Sequence, residues 1–343
     1  WNAFVHISRL EEWMEEKKGN FVHSYIFRHP RKDKSTFKIP IVNHYFNDLK
    51  TFIKANFPEL KFKKGKSLQI EWSHDLDYTK KTIQLRVKQT ILNVVSIFKH
   101  KSFLKNLKRT ISFLFSSPSY WNFDYWKKIE HNSGVKSIYY IYVKHPNQRK
   151  GLRSLKSWLI DPTYDILNDM ELKEKLKELI KEGFKIGLHG SYFSAFDSSL
   201  LSEEKEILEN IFGVQIEKTR QHWLNYSEKV TPKIHNKLFS EDSTIGWNDM
   251  PGFRAGTCST YKPYNHESSK PFDYFIVPQV LMDSHIFDYS TKLDDAISLL
   301  KVCLLQQNAK ISVSWHPRTK SKDYKWNYAY EKILKLYSEW KID

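Results

Sequence analysis

Short β-rich runs alternate with helical stretches along this chain, and no other feature narrows its fold so far. The strand candidates are Ser67–His74, Ser137–Lys144, Lys185–His189, Ile216–His222, Thr244–Trp247, Tyr274–Leu281 and Ile311–His316. Ile166–Glu182 carries Ile166, Leu167, Met170, Leu176, Leu179 and Ile180, an apolar stripe at helical spacing, and stops at Gly183. Ser202–Ile211 reads as a shorter helix with Ser202 as N-cap and Gly213 just past its end. Leu293–Gln307 and Asn327–Trp340 supply two more. Strands that alternate with helices in this way predict βαβ units, and therefore an α/β fold built on a parallel sheet or barrel.

The 343 residues are enough for one large or two modest domains, and 40% apolar content supports a substantial core. Residues 1–66, rich in Lys and aromatics, read as an N-terminal extension packed on a barrel domain that spans 67–343. Between the first two strands lies a segment without a carboxylate: no Asp or Glu occurs from Tyr78 to Phe123. It holds Lys80, Lys81, Arg86, Lys88, Lys99, Lys101, Lys105, Lys108 and Arg109. Ile83, Val87, Ile91, Val94, Val95 and Phe98 recur at helical intervals, followed by Phe103, Leu104, Leu107, Ile111 and Leu114. This predicts a basic amphipathic helix pair inserted over residues 79–118, which either lies on anionic lipid or packs on the barrel with its lysines solvated. Much of the formal charge of +16 sits there. That charge allows nucleic acid, anionic membrane or an acidic substrate as partner, but no nucleic-acid module is present, so nucleic acid is not expected.

Chemistry-bearing residues gather at strand ends. The first strand closes in Ser73-His74-Asp75-Leu76-Asp77, two carboxylates one residue apart at the end where α/β barrels build their sites. Alternate strand residues face the same way, so both reach one cavity if extended geometry persists; an ordinary turn is the bland reading. His189 follows Ile186-Gly187-Leu188, as a metal ligand or as a structural imidazole. Arg220-Gln221-His222-Trp223, Gly252-Phe253-Arg254-Ala255-Gly256 and Ser314-Trp315-His316 close three further runs.

These motifs, taken in order, resemble the polysaccharide deacetylase (NodB-homology) family over about Ser67 to Arg318, in a branch associated with bacterial surface-polysaccharide biosynthesis. The resemblance implies a distorted (β/α)7-type barrel of parallel strands, with one divalent metal, zinc foremost, held by an Asp and two His. Asp75 matches the base and Asp77 the metal-binding Asp. His189 matches the first His of the family's His-x-x-x-His motif, but Phe193 stands where the second belongs. Arg220 and Trp223 match the third motif, whose Pro is replaced by His222. Asp77, His189 and His222 are therefore the expected ligands; the other readings are His74 as third ligand, or a lost metal.

The activity this implies is metal-assisted hydrolysis of an acyl group, N-acetyl foremost, from a sugar or lipid-linked glycan. Asp75 would act as base, Arg220 would hold it ionised, and His316 would protonate the leaving group. The backbone N–H of Trp223 would face the oxyanion as in the family, and Trp223 and Trp315 wall the acyl pocket or pack the core. Arg254 is expected to meet a substrate carboxylate or phosphate, or else to pair with Asp249 or Asp273. The alternative is a degenerate barrel that binds glycan without cutting it. Two cysteines, Cys258 and Cys303, and no apolar signal-like run in residues 1–20 fit a cytoplasmic location, at the inner face of the membrane if the insertion binds lipid.

Overall fold

The structure is a computed structural model that describes residues 1–97, 103–144 and 152–340. Its strands are Gln69–Leu76 (β1), Ile138–Ile141 (β2), Lys185–Gly190 (β3), Lys218–Gln221 (β4), Glu241–Asp242 (β5), Tyr264–Asn265 (β6), Lys270–Pro271 (β7), Phe275–Ile276 (β8), Gln279–Met282 (β9) and Lys310–Ser314 (β10). Eight of them form one sheet in the order β8-β5-β4-β3-β2-β1-β10-β9. Every pairing in it is parallel, while β6 and β7 make a separate antiparallel pair. The alternation expected from the sequence is present, with helices Phe123–Asn132, Met170–Lys181, Ser198–Phe212, Thr231–Leu238 and Leu293–Leu304 between successive strands.

The two edge strands, β8 and β9, are consecutive in the chain and separated only by Val277 and Pro278. Val277 and Gln279 donate backbone hydrogen bonds to Asp242 and Ile245 on one side, at 2.8 and 2.9 Å, and Ser312 donates to Pro278 on the other at 2.8 Å. Phe275–Met282 is thus a single stave shared by both edges of the curled sheet, and the staves number seven, as a distorted (β/α)7 barrel requires. Proline sits where this stave changes partner, a position that spares a ladder donor. The expected strand Thr244–Trp247 is displaced to Glu241–Asp242. Asp242 explains the shift, because its carboxylate takes the backbone N–H of Thr244 at 2.7 Å and turns the chain.

Strand alternation separates a greasy exterior from an ionic lumen. Ile70, Trp72, His74 and Leu76 of β1, with Ile311 and Val313 of β10 and Trp315 just after it, point to the helices; Ile70, Trp72, Ile311, Val313 and Trp315 pack there with Leu300 and Ile333. A second apolar cluster joins Tyr139, Ile141 and Leu188 to Leu176 and Leu208. The alternate residues of β1, β4 and β10 face inward. Lys218 pairs there with Glu71 at 2.7 Å and with Glu241, and Lys310 pairs with Glu241 at 2.9 Å. The helix expected from Ser202 begins a turn earlier at Ser198, because Asp197 accepts the Leu200 N–H and caps it.

Helices Ile83–Ile97 and Phe103–Phe115 form the expected insertion and pack on each other. Phe98, Lys99 and Lys101 lie outside the described residues. Three of its cations are tied inward. Lys81 bonds Asp323 at 2.8 Å, Arg86 bonds Ser117 at 2.8 Å and the Leu114 carbonyl, and Lys88 bonds the Asp161 carbonyl at 2.7 Å. Its outward side still shows Ile83 and Phe115, 80% and 77% exposed, with Val87, Leu107 and Ile111.

Residues 1–66 contribute helices Asn2–Ile7, Leu10–Lys17 and Ile41–Asn56, and reach the rest of the chain through a buried ion cluster. Arg254 sits in this cluster. Its guanidinium pairs with Glu12 at 2.7 and 3.2 Å, bonds Ser24 and stacks over Trp247. The expectation that Arg254 meets substrate is corrected, and so is its proposed partner, which is Glu12 and neither Asp249 nor Asp273.

Candidate active site and metal centre

The C-terminal ends of β1, β3, β4 and β10 converge at one end of the lumen. Ser73 and Asp75 share the inner face of β1, and Asp77 follows on the same face, its N–H bonded to the Asp75 carbonyl at 3.1 Å. Asp77 Oδ1 lies 3.4 Å from His189 Nε2 and 3.7 Å from His222 Nε2. The two rings are 5.0 Å apart, and all three residues are buried. Each ring is oriented from behind. His189 Nδ1 lies 2.9 Å from the Arg220 carbonyl and His222 Nδ1 lies 3.2 Å from Asp161 Oδ1. Both partners are acceptors, so each Nδ1 carries a proton, and in the neutral ring each Nε2 turns its lone pair toward Asp77.

With neutral rings, two imidazole lone pairs and a carboxylate oxygen meet here within 4.8 Å of one another. Asp77 Oδ1 is buried and accepts no hydrogen bond. Such a group of acceptors is costly without a cation, and one Asp with two His on an open side is the donor set of a catalytic divalent ion. These residues fit a metal. The other Asp77 oxygen is held by Arg318 Nη1 at 2.7 Å and lies 3.3 Å from His316 Nε2. Burial pushes the Asp77 carboxyl up, but His316 and Arg318 outweigh it and hold it well below the usual carboxylate range.

Asp75 meets Arg220 Nη1 at 2.5 Å. Burial raises its pKa, while Arg220 foremost and His316 bring it below the ordinary aspartate value. The rest of the guanidinium is fixed by Ser73 at 2.9 Å, Ser243 at 3.0 Å, Gln279 at 2.9 Å and Ser312 at 2.7 Å, with Tyr140 stacked 4.4 Å away. His316 is clamped by Asp283, whose carboxylate takes Nδ1 at 2.9 Å and the backbone N–H at 2.8 Å. Burial lowers the His316 pKa and Arg318 opposes its charge, but Asp283 and Asp77 carry it up to about 10.

Of the remaining expected residues, Trp223 stands at the mouth. It is 42% exposed, its ring lies 5.9 Å from that of His222, and its carbonyl is held by Asn248 at 2.8 Å. Trp223 and Leu224 take left-handed φ values of 59° and 48°, a costly backbone that turns the chain sharply beyond His222. Trp315 is corrected: it is wholly buried in the core against Tyr330 and walls no pocket. His74 is excluded as a ligand, since it points to the helices with both ring nitrogens engaged, by the Trp315 carbonyl at 2.6 Å and Glu130 at 2.7 Å. Asp161, Asp283 and Arg318 were not picked out from the sequence. Asp283 follows β9 directly, so the strand-end rule finds it once the strand is extended from Leu281 to Met282. Asp161 lies deep in the β2–β3 connection and carries no such signal.

No protein-family model and no curated protein matches the chain. Among solved structures it is similar to a "putative polysaccharide deacetylase from Mycobacterium smegmatis", at 14% identity over 81% of this chain and 86% of that one, with a TM-score of 0.46. It is also similar to a "probable Polysaccharide deacetylase from Pseudomonas aeruginosa PAO1" (11% identity, 78% and 84% covered, TM-score 0.43). A third is a "putative polysaccharide deacetylase involved in o-antigen biosynthesis" from Bordetella bronchiseptica (12% identity, 72% and 71% covered, TM-score 0.33). The likeness is one of chain path at low identity.

Proposed function

We propose that this chain is a metal-dependent hydrolase that removes an acyl group, N-acetyl foremost, from a sugar during surface-glycan biosynthesis. The observation that carries the reading is the buried meeting of Asp77, His189 and His222, three acceptors turned on one another beside an ionised Asp75. Asp77, His189 and His222 would hold the ion, with zinc suited to this nitrogen and oxygen set; when bound it supplies Lewis acidity toward an acyl oxygen and a more acidic water. Asp75, kept charged and aimed by Arg220, accepts the proton of the attacking water. His316, protonated at neutral pH and oriented by Asp283, gives a proton from Nε2 to the departing amine. Trp223 borders the mouth, where its ring or its N–H meets the acyl group. The test is acetate release from N-acetylated oligosaccharides, with about one divalent ion per chain. Expected is hydrolysis that stops on dialysis against a chelator and returns with zinc; glycan binding with neither metal nor acetate release would favour the non-hydrolytic barrel.

Work at the cytoplasmic membrane face follows from the insertion in this reading. Among the described residues no helix is long and apolar enough to cross a membrane. Ile83, Ile111 and Phe115 on a carboxylate-free segment suit shallow insertion into anionic lipid. Vesicles containing phosphatidylglycerol are expected to retain the protein at low salt and release it at high salt, and Phe115→Asp should weaken retention several-fold. Retention that ignores both changes removes the lipid contact from the proposal.

A further inference from the structure

Immediately beyond the site, the chain from Thr79 forms one wall of a cavity of about 570 Å³. Residues 117–121, Arg86 of the insertion and Glu171 also line this open cavity. Thr79 follows Asp77 by two residues, so their Cα atoms lie within about 7 Å of each other. The chain that leaves the metal centre at Asp77 thus reaches the cavity lining two residues later.

Its lining is rich in donors and poor in acceptors. Arg86 is held by the Leu114 carbonyl and by Ser117 Oγ, neutral partners that fix its direction, and no carboxylate among the described residues pairs with it. Lys80 is 62% exposed on its side chain, and its ammonium reaches Glu171 and Asp169 only at 3.6 and 3.8 Å, a loose surface pairing. Ser117 and Ser119 accept hydrogen bonds from Arg86 and from the Trp121 N–H, so their own hydroxyl protons remain to donate. Lys81 also borders the space, but Asp323 neutralises it. Glu171 is the one carboxylate in the lining.

We propose that this cavity is a subsite for a phosphate or pyrophosphate group carried by the sugar that the metal centre deacylates. The proposal rests on the deacylase reading for its link to catalysis, and on the cavity alone for its anion. Two cations and two hydroxyls suit a group with several acceptor oxygens better than a planar carboxylate, and a fixed guanidinium is the usual partner of a phosphate. Trp121 at the rim offers a face for a sugar ring. The substrate class becomes a glycosyl phosphate or diphosphate, with either a nucleotide or a prenyl chain beyond the phosphate.

The test is calorimetric titration with inorganic pyrophosphate of the metal-loaded wild type, Lys80→Glu and His222→Ala. Expected is saturable binding that weakens with salt, falls at least about tenfold in Lys80→Glu, and persists in His222→Ala. Lys80 is exposed, so its reversal leaves the fold intact, and Trp121→Phe should remove the accompanying fluorescence change. No binding, binding indifferent to Lys80, or binding that disappears with His222 overturns the proposal, the last because the anion would then sit on the metal. Uridine diphosphate and farnesyl diphosphate distinguish the two sources by which binds more tightly than pyrophosphate. Pyrophosphate binding without acetate release from any acylated sugar refutes the deacylase reading and leaves the anion subsite standing.

Discussion

His222→Ala is expected to cost the protein its metal. Affinity for zinc should fall by about a hundredfold or more, since removing a ligand exceeds the roughly 10–100-fold loss seen when a residue behind a ligand is changed. In this reading His222 supplies the imidazole that Phe193 lacks, while His74 is locked on the outer face and His316 faces the other Asp77 oxygen, its Nδ1 held by Asp283. His74→Ala serves as the control. It should keep the metal while losing about 1–3 kcal/mol of stability, as Glu130 loses a buried partner. Chelator competition and chemical denaturation read these two quantities separately. Metal retained in His222→Ala and lost in His74→Ala would reverse the ligand assignment.

Asp75→Asn is expected to lower kcat for acetate release by about 10²–10⁴ with metal content unchanged, the usual contribution of a positioned base. Asparagine keeps the shape and the contact to Arg220 but cannot take a proton. The pH profile of the wild type carries a second signature. Base catalysis needs ionised Asp75, and its carboxyl lies below the ordinary aspartate value, so the acid limb should fall at lower pH than for an unpaired carboxylate. Acid catalysis needs protonated His316, so activity is lost as pH rises through its pKa, which Asp283 and Asp77 place at up to about 10. A metal on Asp77 withdraws part of that support and moves the alkaline limb down from 10. A loss of less than tenfold in Asp75→Asn would remove Asp75 from the mechanism.

The sequence made the barrel legible because staves such as β1 and β10 alternate apolar and polar residues while the connecting helices repeat at helical spacing. The site was legible for a related reason. Five polar strand ends are five arms aimed into one cavity, and four of them, at Asp75 and Asp77, His189, Arg220 and His222, and His316, do meet there. Arg254 failed because a strand-end arginine reads the same whether it faces the lumen or a carboxylate some 240 residues away, and Glu12 lies in a segment with no motif. Trp315 failed by one residue of alternation: it neighbours His316 in sequence and so points to the opposite side. Asp161 was invisible since its 3.2 Å approach to His222 is made from a connection with no periodicity.

The ionic lumen also sets when the fold can be completed. Glu71 waits for Lys218, and Asp77 waits for His189, His222 and finally His316, so each early carboxylate is answered only by residues far later in the chain. A ribosome that has released the first two staves has exposed Glu71, Asp75 and Asp77 with none of their counter-charges yet made. The greasy outer layer can begin to pack on the nascent chain, but the lumen cannot neutralise itself until about residue 316 has emerged. Assembly of the reactive centre is then nearly the last event of synthesis, and a chain stalled before β10 lacks both the stave between β1 and β9 and the His316 and Arg318 that face Asp77.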